Sequence, residues 1–550
     1  MIQKDMQNKF LLCVLFFAST LFCLAQKKTV TDSTELRKNR IYQWEADIES
    51  IVAQNKDNPR RGFLWIPPQC QQLKGIILCG HNQLEEGIVE DPLFRQSMTN
   101  LNFGIIWITP GIDPSGVYDV RRGAQKAFEE VIQKLADISG YEELLYAPVV
   151  CISHSAQASQ PWNFGAWNSE RTLAMISFHG DSPRSNYLCC NHFNPNWEDR
   201  NIDGIPGLIC IGEHEWSENR ITDSFVFMRQ YPGSLISLLC NAGRGHSDFS
   251  QDDLKCLIRF IEKSVEYRMP TEWDGQSIMP LKKMKREEGW LADRWRKNTL
   301  PTAPTNTWKG YCGDKDSAYW YFDEEMARWT EGIYTRERNK KKQYMALMQN
   351  NRILKPDESL LFVADGCNMD VHVRIVFTDS TYTYLSDKHT IEPIMIKRYA
   401  GPVSIINDTT FRLDHYRPGV SHNRAMTIGL FAFSESDMHY GHVVRNVLWK
   451  IPSSLNEGKI QEIKFPIIKD VESESQFISL KAKSNCNLPI KYYVRSGPAY
   501  IENNTLVFTD LPPRSKYPVK ITVVAWQYGS AIEPKIKTAI PVERSFYLYR

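Results

Sequence analysis

Three side chains of the types used in nucleophilic catalysis follow one another in the order serine, acid, histidine. Ser155 stands in the run Cys151-Ile-Ser-His-Ser-Ala-Gln157, directly after an apolar stretch, and Glu213, Glu215 and His246 come later. A serine hydroxyl is a weak nucleophile unless an adjacent base removes its proton, and a neutral histidine held by a carboxylate does this near pH 7. The pattern predicts acyl transfer through Ser155, with His246 as the general base.

Such a serine needs a sharp turn between a strand and a helix, with small neighbours that let the two elements approach each other. In the α/β-hydrolase fold this turn reads G-x-S-x-G. Here Ser153 replaces the first glycine and Gln157 the second, so the first position stays small and the second departs from the pattern. The motif has little specificity alone. The prediction therefore depends on the acid and the histidine arriving in order after later strands.

The segment around Ser155 alternates apolar strand-like runs with helical periodicity. Two amphipathic helices are predicted at residues 124–138 and 252–267. Continuous apolar strands between helices indicate a parallel sheet that is buried on both faces. The predicted fold class is α/β, an α/β-hydrolase domain with a mostly parallel sheet. Its predicted strands are residues 75–79, 103–108, 148–152, 173–178, 207–211 and 235–240.

Two later strands deliver the predicted acid and base. The strand 207–211 ends at Gly212, and Glu215 stands three positions after it, where this fold usually has its acid; Glu213 remains the alternative. The strand 235–240 is followed by a glycine-containing loop that leads to His246. The catalytic set predicted from the sequence is therefore Ser155, His246 and Glu215.

An oxyanion hole requires two N–H groups directed at the charge that develops on the substrate. One is expected from Ala156, directly after the nucleophile. The other is expected from the loop that follows the strand 75–79, at Asn82, Gln83 or His81. Polar side chains of this loop are also expected to contact the substrate.

A chain of 550 residues is expected to form more than one domain. From about residue 358 onward, strands recur roughly every ten residues, which is typical of a β-sandwich. The predicted divisions are a signal peptide at 1–25, an α/β-hydrolase catalytic domain at 40–270, a linking segment laid over a surface at 271–350 with a helix at 323–348, a β-rich domain at 351–465, and an Ig-like β-sandwich at 466–550.

The first residues have the pattern of a secretory signal peptide. Lys4 and Lys9 precede an apolar run at 10–24, and small residues at Cys23 and Ala25 mark a cleavage point. No later segment reaches the 18 apolar residues of a membrane span. We therefore expect a periplasmic or secreted protein without an integral membrane segment.

The composition narrows the class of partner. A net charge of +2 provides no strong attraction to nucleic acid. The cysteines and histidines lack the spacing of a zinc site, so no metal or cofactor is predicted. The 15 tryptophans include rings able to stack on sugars, although core packing is the alternative for each of them. Candidate substrate contacts are His81, Trp162, Trp216 and Arg244, with Arg184 and Arg220 on neighbouring loops.

Several short runs resemble a group of exported bacterial carbohydrate esterases with a β-rich C-terminal extension, which includes serine-type pectin methylesterases. They are Ser153-His-Ser-Ala156, Pro161-Trp-Asn-Phe164, Ala166-Trp-Asn168, His179-Gly-Asp181, Gly212-Glu213-x-Glu215-Trp216 and Gly245-His246. The resemblance implies a serine esterase that acts on a polysaccharide or oligosaccharide ester, most readily the methyl ester of a pectin-like uronic acid chain.

Three alternatives remain open on the sequence. Relatives in polysaccharide-degrading systems also remove acetyl groups, so a carbohydrate acetyl esterase of the same fold is the first. The second is a glycan-binding protein on a degenerate hydrolase fold, which the irregular residue Gln157 favours. The third is a peptidase of the same fold, although the sequence indicates no lid insertion and no propeller domain.

Overall fold

The computed structural model describes residues 37–51, 59–184, 195–367, 369–413, 425–452 and 454–550. The predicted signal peptide, residues 1–25, lies outside the described residues. Within the described ranges, no helix combines the length and the apolar composition that crossing a membrane requires.

An eight-stranded sheet forms the first part of the molecule, in the order β1-β2-β4-β3-β5-β6-β7-β8. Strand β2 is antiparallel to both of its neighbours, and β4 and every strand beyond it in this order run parallel. This is the α/β-hydrolase architecture, as predicted. The strands are β1 Trp44–Ile48, β2 Arg60–Trp65, β3 Gly75–Gly80, β4 Phe103–Thr109, β5 Val149–His154, β6 Thr172–Phe178, β7 Pro206–Gly212 and β8 Leu235–Asn241.

Helices cover both faces of this sheet, which explains why its inner strands are apolar along their whole length. All residues of β3 through β8 are buried. The six strands predicted from apolar runs are confirmed to within two residues at either end. The helices are α1 Leu84–Val89, α2 Pro92–Leu101, α3 Ala124–Ser139, α4 Gln160–Trp167, α5 Glu218–Gln230 and α6 Gln251–Arg268.

The segment 271–350 packs into the core beside β8. It contains β9 Trp290–Asp293, β10 Asn306–Thr307, β11 Ala318–Tyr321 and the helix α7 Glu324–Glu337. The Tyr321 hydroxyl donates to the carbonyl of Leu238 on β8 at 2.6 Å, and Trp320 is fully buried. The prediction that this segment lies over a surface was wrong for residues 318–337, because their aromatic side chains fill the space beside the last strand.

The helix predicted at 323–348 was also wrong in its extent. Helix α7 ends at Glu337, and the chain continues as the strand β12 Tyr344–Gln349, which pairs with β15 Arg374–Thr378. The stretch 371–377 belongs to two strands of different sheets, β14 Asp370–His372 and β15. The strands that follow β12 in this part of the chain are β13 Arg352–Leu354, β14 Asp370–His372, β15 Arg374–Thr378, β16 Met395–Ala400, β17 Val403–Asn407, β18 Thr410–Leu413, β19 Ala425–Ser434 and β20 Val443–Pro452.

The C-terminal part forms further small sheets. The order in one is β22-β29-β28-β25 and in another β23-β27-β26. The rings of Phe508 and Phe546, one from each sheet, lie 6.3 Å apart, so the two sheets pack face to face. The strands are β21 Ile463–Lys464, β22 Val471–Glu472, β23 Phe477–Ser479, β24 Lys483–Ser484, β25 Lys491–Ser496, β26 Ala499–Glu502, β27 Thr505–Phe508, β28 Val519–Trp526 and β29 Val542–Tyr549.

Candidate active site

Ser155 stands at the sharp turn between β5 and α4. Its φ of 54° lies in the left-handed region, which non-glycine residues adopt only under constraint. A short 3-10 turn, Ser155–Gln157, follows, and α4 begins at Gln160. The Ser155 hydroxyl lies just beyond the end of β5 and donates a hydrogen bond to Nε2 of His246 at 2.6 Å.

Glu215 lies on the far side of the His246 ring. The Nδ1 of His246 donates to Oε2 of Glu215 at 2.5 Å. Glu213, the alternative acid, faces elsewhere: it accepts from the N–H of Gly243 at 2.7 Å and pairs with Lys297 at 2.5 Å. Of the two carboxylates left open by the sequence, the structure brings Glu215 to the histidine.

Further polar groups surround the Glu215 carboxylate. Its Oε1 accepts from the N–H of Gly212 at 3.2 Å, and Arg220 donates to Oε2 at 3.2 Å. Burial by itself raises the pKa of the Glu215 carboxyl, but hydrogen bonds from His179 and His246 outweigh it and hold that pKa well below its usual range. The carboxylate stays ionised beside the His246 ring.

His179 was not singled out for this role from the sequence. It is fully buried just after β6, and its Nδ1 lies 3.1 Å from Oε1 of Glu215. The amide of Asn241 donates to its Nε2 at 2.8 Å. Burial lowers the pKa of His179, but the contact with Glu215 outweighs burial and raises it. Its position at a strand end beside the acid-bearing strand was the available signal.

His154 contacts the main chain of the predicted base, His246. Its Nε2–H donates to the carbonyl of His246 at 2.8 Å. Burial, then the neighbouring His179 and His246, hold the pKa of His154 well below its usual range, so its ring is neutral. Nitrogens of these three histidines lie within 4.8 Å of one another, and each ring also contacts a protein acceptor.

The loop 81–83 connects β3 to α1 beside the nucleophile. The side-chain amide of Asn82 donates to the carbonyl of His154 at 2.7 Å, and Ser247 donates to Oε1 of Gln83 at 3.1 Å. The loop therefore bonds to the residue before Ser155 and to the residue after His246.

The main-chain N–H group of Gln83 differs from the prediction. It donates to Oε2 of Glu85 at 2.9 Å. This N–H is directed at a buried acid and not at a substrate, because Glu85 follows at the start of α1 and takes the donor. Ala156 lies in the first turn after Ser155, where helical N–H groups have no partner within the helix.

Gln157, the residue that departs from the usual motif, fills a space between two loops. Its Nε2 donates to the carbonyl of His81 at 3.1 Å. A Cβ placed at Gly80 would lie 2.2 Å from Oε1 of Gln157, and a Cβ at Gly116 would lie 3.0 Å from its Nε2. The usual motif has a glycine at position 157. Here the larger Gln157 side chain fits because Gly80 and Gly116, which lie against it, have no side chains.

No protein-family model matches the chain, and no curated protein matches it significantly. Several solved structures do match the chain. The poly(3-hydroxybutyrate) depolymerase LpqC from Bordetella parapertussis is 10% identical with a TM-score of 0.28, covering 44% of this chain and 95% of its own. A Bacillus cereus carboxylesterase is 12% identical with a TM-score of 0.27, covering 37% and 93%. The S-formylglutathione hydrolase FrmB from Staphylococcus aureus is 12% identical with a TM-score of 0.29, covering 40% and 98%.

The predicted substrate contacts separate into two groups. Trp162 is 1% exposed and Arg244 is 2% exposed, so neither offers a surface to a substrate. Trp162 lies under β7, and Arg244 is directed at Glu435 at 3.3 Å. Both predictions were wrong, since core packing and an ion pair occupy these side chains.

The other two predicted contacts are partly exposed. His81 is half-buried, with its Nδ1 3.2 Å from Oγ1 of Thr109 and its ring 5.0 Å from that of Trp107. Trp216 is half-buried and stands edge-on to Trp295, with ring centroids 4.7 Å apart. These two remain candidates for contact with a substrate.

Proposed function

We propose that this chain is a serine esterase that hydrolyses a small ester on a carbohydrate through an acyl-enzyme on Ser155. One observation carries the proposal: Ser155 Oγ, the His246 ring and Glu215 form a continuous hydrogen-bonded series, at 2.6 and 2.5 Å, at the carboxyl ends of parallel strands. That geometry gives a hydroxyl its base and gives the base an anion that orients it.

In the first half-reaction the proton of Ser155 passes to Nε2 of His246 as Oγ attacks the ester carbonyl. Glu215 accepts from Nδ1, which holds the ring in the correct tautomer and stabilises the imidazolium that forms. The N–H of Ala156 donates to the developing oxyanion, and we assign the second donor to the 81–83 loop at His81.

His246 then returns the proton to the departing alcohol, which leaves the acyl group on Ser155. In the second half-reaction, water loses its proton to His246 and attacks this acyl-enzyme. The acid is released and the proton goes back to Ser155, so the enzyme is regenerated. The carbonyl of His246 accepts from buried His154, which fixes the position of the ring through both steps.

For the substrate we propose the methyl ester of a pectin-like uronic acid polysaccharide. The resemblance of the runs around Ser155, Glu215 and His246 to exported carbohydrate esterases supports this choice. Cleavage would transfer the sugar acid to Ser155 and release methanol. We propose a periplasmic or extracellular location, because residues 1–25 have the pattern of a signal peptide.

One observation favours the acetyl esterase as the second candidate. Recognition of a uronic acid carboxylate calls for an arginine directed at the substrate. The three arginines that the sequence suggests are directed at protein groups: Arg184 at Tyr231, Arg220 at Asp181 and Glu215, and Arg244 at Glu435. An acetyl ester needs no such cation.

Labelling with a fluorophosphonate tests the serine chemistry. The wild-type protein should be labelled, and Ser155→Ala should not. Ser153→Ala is the matched control, since Ser153 is buried on β5 two residues away and should leave the labelling intact. Absence of labelling in the folded wild type would favour the glycan-binding alternative, and labelling that survives Ser155→Ala would overturn the assignment of Ser155 as the nucleophile.

Product analysis separates the two esters. We expect methanol from methylated pectin and far less acetate from acetylated glycans. Release of acetate alone would replace the methyl ester proposal with the acetyl esterase, and cleavage of peptides alone would indicate the peptidase.

A further inference from the structure

A buried ion-pair cluster joins the β-rich part of the chain to the active-site side of the hydrolase sheet. Arg398 on β16 donates to Oε1 of Glu86 at 2.7 Å and to Oε2 of Glu90 at 2.6 Å. The side chains of Arg398, Glu86 and Glu90 are 8%, 7% and 4% exposed. A planar guanidinium that bridges two buried carboxylates permits little displacement of either one.

The two elements also touch through their backbones. A Cβ placed at Gly87 in α1 would lie only 2.8 Å from Cα of Tyr399, the residue after Arg398. Glycine is therefore required at this point of α1. At the end of the contact, Lys397 pairs with Asp91 at 3.4 Å. β16 thus holds the middle of α1 and the residues that directly follow it.

The other side of α1 faces the nucleophile. Glu85, a buried residue of this helix, accepts hydrogen bonds from the N–H of His154 at 2.7 Å and from the N–H of Gln83 at 2.9 Å. His154 directly precedes Ser155, and Gln83 ends the 81–83 loop. Because Glu85 and Glu86 are consecutive, any shift of the helix that relaxed Arg398 would move the groups next to Ser155.

We infer that Arg398 is a positioning residue for the reaction at Ser155, acting through α1 and Glu85 on the 81–83 loop and the end of β5. The β-rich part of the chain is then required for full catalytic activity. This inference rests on the proposed function.

The test compares Arg398→Met with Arg495→Met. Arg495 is the control because its side chain is also buried and also bridges two carboxylates, mostly buried Glu45 on β1 and exposed Glu543. It also joins the C-terminal part to the hydrolase sheet. It does so at β1, the edge strand, three strands from β3. Each variant is assayed for fluorophosphonate labelling rate, for kcat and KM on p-nitrophenyl acetate, and for its melting temperature.

We expect Arg398→Met to lower both kcat and the labelling rate by about 10- to 100-fold with little change in KM, since misplaced groups act on the transition state. Arg495→Met should retain kcat within about two-fold, because it leaves oriented groups near Ser155 unchanged. Arg398→Lys should recover only part of the loss, because an ammonium cannot bridge both carboxylates as a guanidinium does.

A single substitution that leaves Glu86 and Glu90 buried without their cation threatens folding. The triple variant Arg398→Met, Glu86→Gln, Glu90→Gln removes all three charges and should fold with the same loss of kcat. Wild-type kcat in any folded Arg398 variant, or an equal loss in Arg495→Met, would overturn the inference. If wild-type protein is not labelled at Ser155, the proposed function itself fails, and the two failures are distinct.

Discussion

The side-chain amide of Gln157 donates to the carbonyl of His81 at 3.1 Å, linking the turn that bears Ser155 to the loop across from it. The residue that makes the motif irregular is therefore a structural tie between the two sides of the site. In the usual motif a glycine at this position cannot form such a bond.

Replacing Gln157 with glycine, the usual residue, should harm this protein. The lost hydrogen bond, the cavity beside Gly80 and the added backbone freedom should lower the free energy of unfolding by about 1–3 kcal/mol. The loosened loop should lower kcat by roughly ten-fold. Urea unfolding and esterase kinetics measure both, with Gln157→Met as the control that keeps volume without the bond. Wild-type behaviour of Gln157→Gly would contradict the structural role.

The two candidate acids can be separated by amide substitutions. Glu215→Gln removes the anion that orients His246 and should lower kcat by roughly a thousand- to ten-thousand-fold. Glu213→Gln loses its pairing with Lys297 and should keep kcat within about ten-fold, because its contacts lie on the Gly243 side. Single-turnover kinetics with p-nitrophenyl acetate gives the comparison. The reverse ranking would identify Glu213 as the acid.

Glu85 should make the stability of the protein depend on pH. Burial, opposed by N–H groups of the surrounding backbone, raises the pKa of this carboxyl from 4.5 to about 7. The folded protein then binds more protons than the unfolded chain between those values, so the free energy of unfolding falls as the pH rises through that window. At 1.36 kcal/mol for each pKa unit, the fall is at most about 3.4 kcal/mol.

The substitution Glu85→Gln removes this titration and isolates it from other acids. Urea unfolding at pH 5 and pH 8 should show a smaller decrease for the variant than for the wild type. Asp253, whose pKa burial raises to about 6, remains in both proteins and provides the common background. Equal pH dependence in the two proteins would show that Glu85 does not titrate in this range.

Trp162 should behave as a core residue. Its ring lies against the backbone of Gly207 on β7, where a Cβ would come within 2.3 Å of it. Trp162→Ala should therefore lower the free energy of unfolding by about 3–5 kcal/mol. Trp216→Ala, at a half-buried position, should cost less stability and serves as the comparison. Loss of oligosaccharide affinity in folded Trp162→Ala, at unchanged stability, would restore Trp162 as a sugar contact.

The sequence by itself determined the fold class and the order of the reactive side chains. Strands buried on both faces must be apolar along their length, so residues such as those of β3, β5 and β8 were readable as apolar runs. The parallel arrangement then brings the strand ends that carry Ser155, Glu215 and His246 to one edge of the sheet. The edge strand β1 and its neighbour β2 were missed because their mixed sequences carry no such run.

Only the tertiary structure decided how that edge is held. The choice between Glu213 and Glu215 depended on which carboxylate a turn of three residues directs at His246, and local spacing does not contain that direction. Arg244 and Trp162 stand in sequence beside the reactive residues, yet each points into a packed interior. The ties from Arg398 to Glu86 and from Gln157 to His81 join positions far apart in the chain, and contacts of that kind arise only when separate elements pack together.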